Sequence, residues 1–565
     1  MTHPSIHPAL MLALALTGPA AGQVAPLDPG LQALGAEFFA WRAVTQPATG
    51  DDIPRVERPP GWTPEVAPGD LEAQRRAYRD FRQRLETLPR EGWQRADSVD
   101  YLLLRSAIER VNWELNILRQ PHRNPDFYVH QTLGALYELL LISSPLTAER
   151  AGELVTRLRS VPRTVAVARE NLSEPVAPFA RIALDNLSGV TGKLERTAAA
   201  LRKSFPRRLR GDLDEAISHA GAALESYARW LEQRLPEMAT ETAIGRENYI
   251  YFLKYIALIP HAPEELLAQG RQAWNRSLAL EATHAARNAG LPEAALFPSS
   301  KAQMKQSRRD ERAIRAFLEE RDIMSVPDWL QHYVNRPTPE HIAPLAHMGV
   351  VNDLTSAARL DEDAVSYMRE PSPDLPFFRL ASAQDPRPII IHEGVPGHYY
   401  QMALAWRHPD PIRRQFFDSG PNEGIGFYVE ELLMDLGLFD DRPRTREIIT
   451  RFMRLRALRV EVDIRLALGS FTIEQAGAYL AETVPLDVPT ATWEAGFFAF
   501  NPGQAISYQI GKLQIEAFLA DTRIAQGEAF SLRAFHDGLM LNGNVPIALQ
   551  RWEALGKGDE VGRLW

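Results

Sequence analysis

Between Tyr101 and Leu118 apolar residues return every three or four positions with Arg and Glu between them, a spacing that an α-helix turns into one buried face. The same periodicity dominates the N-terminal half, so this part of the chain has to bury helix against helix. Prolines at 121, 125, 145, 162, 175, 178, 206 and 260 cut it into an expected seven or eight helices, because proline lacks the N–H that a helix interior uses. Strand-like runs are few. Pro376–Leu380 and Pro388–Ile391 are the main candidates, the second also fitting the start of a buried helix, and Asp361 to Asp385 reads as the most loop-like internal stretch. No repeat of solenoid period occurs. The expected fold is mainly α, a large multi-helix body with a few short strands.

At 565 residues the chain can bury more than one core or build a two-lobed body with a cleft. Its net charge of −9 and the lack of a basic cluster exclude a nucleic-acid partner, which would need a positive patch against phosphates. Lys203 to Arg210 reads as a solvated helix boundary. The first 22 residues hold no Asp, Glu, Lys or Arg, and the apolar run Ala9 to Thr17 precedes Gly18-Pro19-Ala20-Ala21-Gly22. That pattern predicts a signal peptide over 1–22 and a periplasmic or secreted protein, although His3 and His7 stand where Lys or Arg is usual. No later apolar run is long enough to span a bilayer, so no membrane insertion is expected. There is no cysteine, so any metal must be held by His, Asp or Glu, and no thiol can carry a lipid. A loose boundary at Arg336-Pro337-Thr338-Pro339 marks a helical scaffold, 23–335, and a catalytic region, 336–565, which are expected to form one continuous two-lobed body.

The chemistry is concentrated in Ile389-Ile390-Ile391-His392-Glu393-Gly394-Val395-Pro396-Gly397-His398. Zinc-binding helices usually space two histidines four residues apart, which puts both imidazoles on one face. Six residues on an ideal helix turn through about 240° and rise about 9 Å, too much for two nitrogens that must each lie about 2.0–2.1 Å from one zinc. A bulge or broken turn at Pro396-Gly397 has to absorb the difference. His341 and His347 repeat the spacing without the Glu, the Pro-Gly or a following acidic helix, and read as structural. Asp418 to Asn422 can cap a helix starting near Glu423, whose carboxylate then completes a His392, His398, Glu423 set with one position open for water. Glu430, seven residues on, falls on the same face and can hydrogen-bond a ligand. Glu393 is then the general base, taking a proton from metal-activated water and returning it to the leaving amine. Tyr508 and His536 are the candidate donors to the developing oxyanion.

Several separated blocks together resemble the bacterial domain-of-unknown-function family 885, which is grouped with zincin-like metallopeptidases. They are Gly245 to Tyr249, His392 to Gln401, Glu423 to Glu431, Pro502 to Lys512 and Phe535-His536-Asp537. The resemblance implies a helical zincin-like fold with a deep cleft, a Zn²⁺ site and peptide substrates. Two positions depart from the family pattern: Tyr399 stands where a further His is common, and Ile425 where a Trp is. The reading is zinc-dependent hydrolysis of short or unfolded peptides. Its alternatives are a catalytically silent envelope binding protein and a zinc amidohydrolase on non-peptide amides. Glu393 favours an enzyme, since a binding module has no use for an acid beside its first ligand.

Overall fold

The computed structural model describes residues 28–49 and 55–564, so the expected signal peptide lies outside the described residues. The fold is mainly α, as the periodicity requires. Helices Pro29–Thr45, Pro68–Glu86 and Arg95–Asn112 pack on one another through Leu31, Phe38, Phe81 and Leu103, and Ile412 and Leu549 from far along the chain close that core. A second core joins Ala148–Asn171, Ala177–Leu187, Val190–Leu201 and Arg210–Arg234, and takes in Ile342, Val365 and Tyr367. Both cores therefore cross residue 335. The expected boundary there is not a break, because Asn335 sits in the middle of a strand.

Three strands form the small sheet among the described residues: β1 (Tyr333–Pro337), β2 (Asn352–Asp353) and β3 (Ala364–Met368), in the order β1-β3-β2. β3 is central and buried throughout, parallel to β1 with Tyr333 beside Ala364, and antiparallel to β2 with Asn352 beside Ser366. The first expected strand is corrected, and the second takes its alternative reading, the start of a buried helix. Phe377–Gln384 is a helix, and Pro388 to Ile391 lies in a helical turn, Arg387–Ile389, that runs into a π-helical turn, Ile390–Gly394. Its β-branched residues are there because the turn is buried in the core, where packing overrides strand preference. The stretch read as a loop, 361–385, holds β3 and the Phe377–Gln384 helix. Pro162 is also corrected: it stands inside the Ala148–Asn171 helix. Pro121, Pro125 and Pro178 instead open helices, where no N–H is needed.

The third core surrounds the acidic helix Ser419–Asp435, which is buried along nearly all its length and crosses Ser507–Gln526 at very short range. The contact is glycine on glycine: a Cβ on Gly424 would come 2.7 Å from the Gly511 backbone, and one on Gly511 would fall on the carbonyl of Gly420. A long helix, Thr445–Ala467, lies behind and contributes buried arginines. Its Asp463 is a hub. The carboxylate accepts from the Gly503 and Ala505 amides and from the Tyr249 hydroxyl, which explains why the Gly245–Tyr249 and Pro502–Lys512 blocks go together. Among the described residues no helix is long and apolar enough to cross a membrane.

The helix crossing predicts opposite outcomes for two alanines. Gly511→Ala should destabilise by roughly 1–3 kcal/mol through overpacking. Gly538→Ala should stabilise by about 0.5–1 kcal/mol, since its Cβ meets nothing and alanine favours a helix. Denaturant midpoints of the two variants measure both, and equal midpoints would show that the crossing tolerates a methyl group.

Candidate metal centre

His392 and Glu393 lie on the π-helical turn, Val395 is extended, the Val395–Pro396 bond is cis, and the chain re-enters a helix, His398–Ala405, with Gly397 as its cap. The motif is thus two short helical pieces with a break between them at Pro396-Gly397, where the six-residue spacing called for a bulge or broken turn. The break needs a glycine, for a Cβ on residue 397 would land on the carbonyl of His392. Its effect is the one the six-residue spacing requires. The His392 and His398 ring centroids stand 4.6 Å apart.

Glu423 comes to them from the acidic helix. Asp418 caps that helix by accepting from the Gly420 amide at 2.8 Å, so the helix begins at Ser419 and Glu423 lies in its second turn, one turn later than expected. Asn422 donates to Gln401 at 2.6 Å and ties this helix to the one carrying His398. Glu423 Oε2 lies 3.4 Å from His392 Nε2 and 3.2 Å from His398 Nε2. Both oxygens of Glu423 are buried and neither accepts a hydrogen bond. Buried carboxylates are almost always hydrogen-bonded, so an oxygen left between two imidazole nitrogens fits a cation shared with them. The distances agree: donors about 2.0–2.1 Å from a tetrahedral zinc stand roughly 3.3–3.4 Å from each other.

Glu393 competes for the third position, because it too offers an oxygen within 4.8 Å of both histidines. Burial separates the two carboxylates. Glu423 is enclosed, whereas Glu393 is half-buried, borders the cleft and sits 3.4 Å from the amide nitrogen of Asn352 on β2. The residues that can hold the ion are therefore His392, His398 and Glu423, with Glu393 beside the open side.

The surroundings favour positive charge. Glu430 Oε1 lies 2.9 Å from His392 Nδ1, which assigns the ring proton to Nδ1 and leaves Nε2 as a ligand. Arg456 pairs with the other Glu430 oxygen at 2.6 Å. Burial and then Arg456 oppose the charged imidazolium of His392, yet Glu423 and Glu430 outweigh them and raise it to about 9. Burial likewise opposes the Glu423 carboxylate, but His398 and His392 hold it well below the ordinary carboxylate range. The two carboxylates around the rings thus favour positive charge between them.

Tyr508 borders the same cleft, its ring stacked on His392 with centroids 6.4 Å apart and planes 11° from parallel. His536 does not. It is fully buried, with Nδ1 2.8 Å from the Ile323 carbonyl and Nε2 2.9 Å from the Tyr428 hydroxyl, so both nitrogens are committed to packing helices together. Asp537 likewise anchors the amide and hydroxyl of Ser325. The Phe535-His536-Asp537 block is structural, and the expected oxyanion role for His536 is corrected. His347 contacts the Asn186 carbonyl at 3.0 Å, far from the centre, in line with its structural reading. Tyr399 is buried in the third core, and Ile425 fills part of the same core.

Three features were not read from the sequence: Arg456, the Asn422–Gln401 bridge and Gly426. A Cβ on Gly426 would come 2.9 Å from His392 and 3.0 Å from His398, so only glycine lets both rings lie on the acidic helix. The one available signal was that Gly426 lies one turn from Glu423.

Fold and site together define a large helical protein with a buried two-histidine, one-glutamate centre at the floor of a cleft. The chain belongs to the family described as "Bacterial protein of unknown function (DUF885)", which matches residues 60–552. No curated protein matches it. Two solved structures share the fold. One, "a putative lipoprotein of unknown function" from Shewanella oneidensis, has a TM-score of 0.68 at 15% identity, covering 92% of this chain and 98% of its own. The other, a "putative lipoprotein" from Colwellia psychrerythraea, has a TM-score of 0.73 at 16% identity, with coverage of 93% and 99%.

Gly426→Ala should push the rings apart, and Glu430→Gln should lose the anion that orients His392. Zinc titration by competition with a chromogenic chelator should show the second variant about 10–100-fold weaker than wild type. Unchanged affinity in both would remove these residues from the centre.

Proposed function

We propose that this protein is a zincin-like, zinc-dependent peptidase of the cell envelope. The observation that carries the reading is the buried Glu423 carboxylate, held between two imidazole nitrogens with no hydrogen donor, directly beside the half-exposed acid Glu393. A structural zinc site would be closed by a fourth protein ligand. Here the neighbouring position is a carboxylate bordering a cleft of about 390 Å³.

A zinc ion at this centre would supply a polarised carbonyl and a water acidic enough to ionise near neutral pH. The chain's own residues do the rest. Glu393 takes the proton from the attacking water and delivers it to the leaving amine, and Asn352 holds the carboxylate toward that path. Tyr508, on the cleft wall, is the group placed to donate to the oxygen on which charge develops. Glu430 and Arg456 keep His392 in the tautomer that leaves Nε2 unprotonated. Peptides suit the site because Gly349 to Asn352 run as backbone along the wall and Phe378, Phe497 and Phe498 offer apolar contacts. The narrow cleft favours short or unfolded chains. An envelope location is supported by the apolar N-terminus and by the descriptions of the two structural relatives as lipoproteins.

Metal content and peptide-library cleavage test this together. Wild type should bind one zinc, gain thermal stability on adding it and lose turnover with a chelator. Glu393→Gln should keep the zinc but cleave about 10²–10⁴-fold more slowly. Glu423→Ala should lose both the metal and the thermal shift. Equal cleavage by wild type and Glu393→Gln would sink the mechanism, and a protein that takes up no divalent ion would sink the reading.

A further inference from the structure

We propose that the cleft contains a carboxylate-binding subsite built on Arg379, with Arg369 at its rim, so that the preferred substrate carries a free carboxylate near the bond presented to Glu393. This deepens the peptidase reading and rests on it. The observation is an imbalance of charge inside one cavity. Four arginines line the cleft, Arg369, Arg379, Arg456 and Arg459, against two acids, Glu393 and Glu494, in a chain whose net charge is −9.

Two of these arginines are already satisfied. Arg456 pairs with Glu430, and Arg459 meets Glu494 with two nitrogens, one at 3.1 Å. Arg379 is different. Its guanidinium donates from Nη1 to the backbone carbonyl of Tyr367 at 3.0 Å and forms no ion pair among the described residues. A guanidinium has five N–H donors in a planar fork that fits a carboxylate, so one neutral acceptor leaves most of that capacity unused. Arg369 is exposed, and it too has no carboxylate partner among the described residues.

Position adds to the argument. Arg379 lines the same cavity as Glu393, the acid expected beside the scissile bond. It is held there by the Phe377–Gln384 helix, whose first amide donates to Asp487 at 3.1 Å. Phe378, its neighbour in the chain, lines the same cavity with Phe497 and Phe498. A cation and apolar rings in one cavity suit a carboxylate attached to an apolar residue. Two sources carry that group: the C-terminus of a peptide, or an Asp or Glu side chain.

Calorimetry on zinc-loaded Glu393→Gln separates them without turnover. Three peptides of one length are compared: a free C-terminus with no acidic residue, its C-terminal amide, and the amide carrying one Glu. At least one anionic peptide should bind about 10–100-fold more tightly than the neutral amide, the range for a hydrogen bond to a charged group. If the free acid alone gains, the carboxylate is the C-terminus; if the Glu amide alone gains, it is the side chain. Adding Arg379→Gln should erase the difference and leave the neutral amide unchanged, and Arg379→Lys should restore part of it. Arg369→Gln, at the exposed rim, should give a smaller loss of the same kind and serves if the buried substitution fails to fold. Equal affinity for all three peptides, or an equal loss for all three in Arg379→Gln, would overturn the subsite. Because binding is read alone, a protein that discriminates carboxylates but cleaves nothing would separate failure of the peptidase reading from failure of this one.

Discussion

Glu423 is a negative charge enclosed by protein, with two imidazole nitrogens as its near neighbours, and the rest of the centre is arranged around that fact. Moving a carboxylate out of water costs several kcal/mol unless a partner compensates it. Here the partners are two imidazoles, and behind them a second carboxylate, Glu430, neutralised in turn by Arg456. Alternating charge of this kind is stable only with a cation, or a proton standing in for one, between the first carboxylate and the rings.

Holding the five groups together takes backbone from three parts of the chain. The π-helical turn and the Gly397 break bring the histidines side by side, Gly426 gives the rings room on the acidic helix, and the Asn422–Gln401 bond aligns that helix with His398. Asp463 does the equivalent for the cleft wall, gathering Tyr249 and the loop before Tyr508 onto one buried carboxylate. The blocks that resemble the family divide accordingly. Some supply donor atoms, and others, such as His536 with Tyr428 and Ile323, hold the helices that carry them.

The helical class and the four residues His392, Glu393, His398 and Glu423 were legible because each has a local signal: a periodicity, a spacing that an unbroken helix cannot satisfy, or a capping cluster. Arg456 was not, since it is one arginine among several on the Thr445–Ala467 helix and only the three-dimensional packing says which of them faces inward. Gly426 was invisible for the same reason, because a glycine's neighbours across an interface leave no trace in its own sequence. The strand reading failed where apolar runs are packed: Pro388, Ile390 and Ile391 are buried with Ile389 partly so, and β3 is buried throughout, so no alternation marks it.

The backbone contact between Gly424 and Gly511 also limits how this molecule can move. With no side chains in between, the helix bearing Glu423 and the helix bearing Tyr508 have nothing to slide on and should travel as one unit. Any widening of the cleft then falls to the opposite bank, where the small sheet and the Phe377–Gln384 helix sit. The floor that carries the two histidines can stay fixed while the facing wall yields.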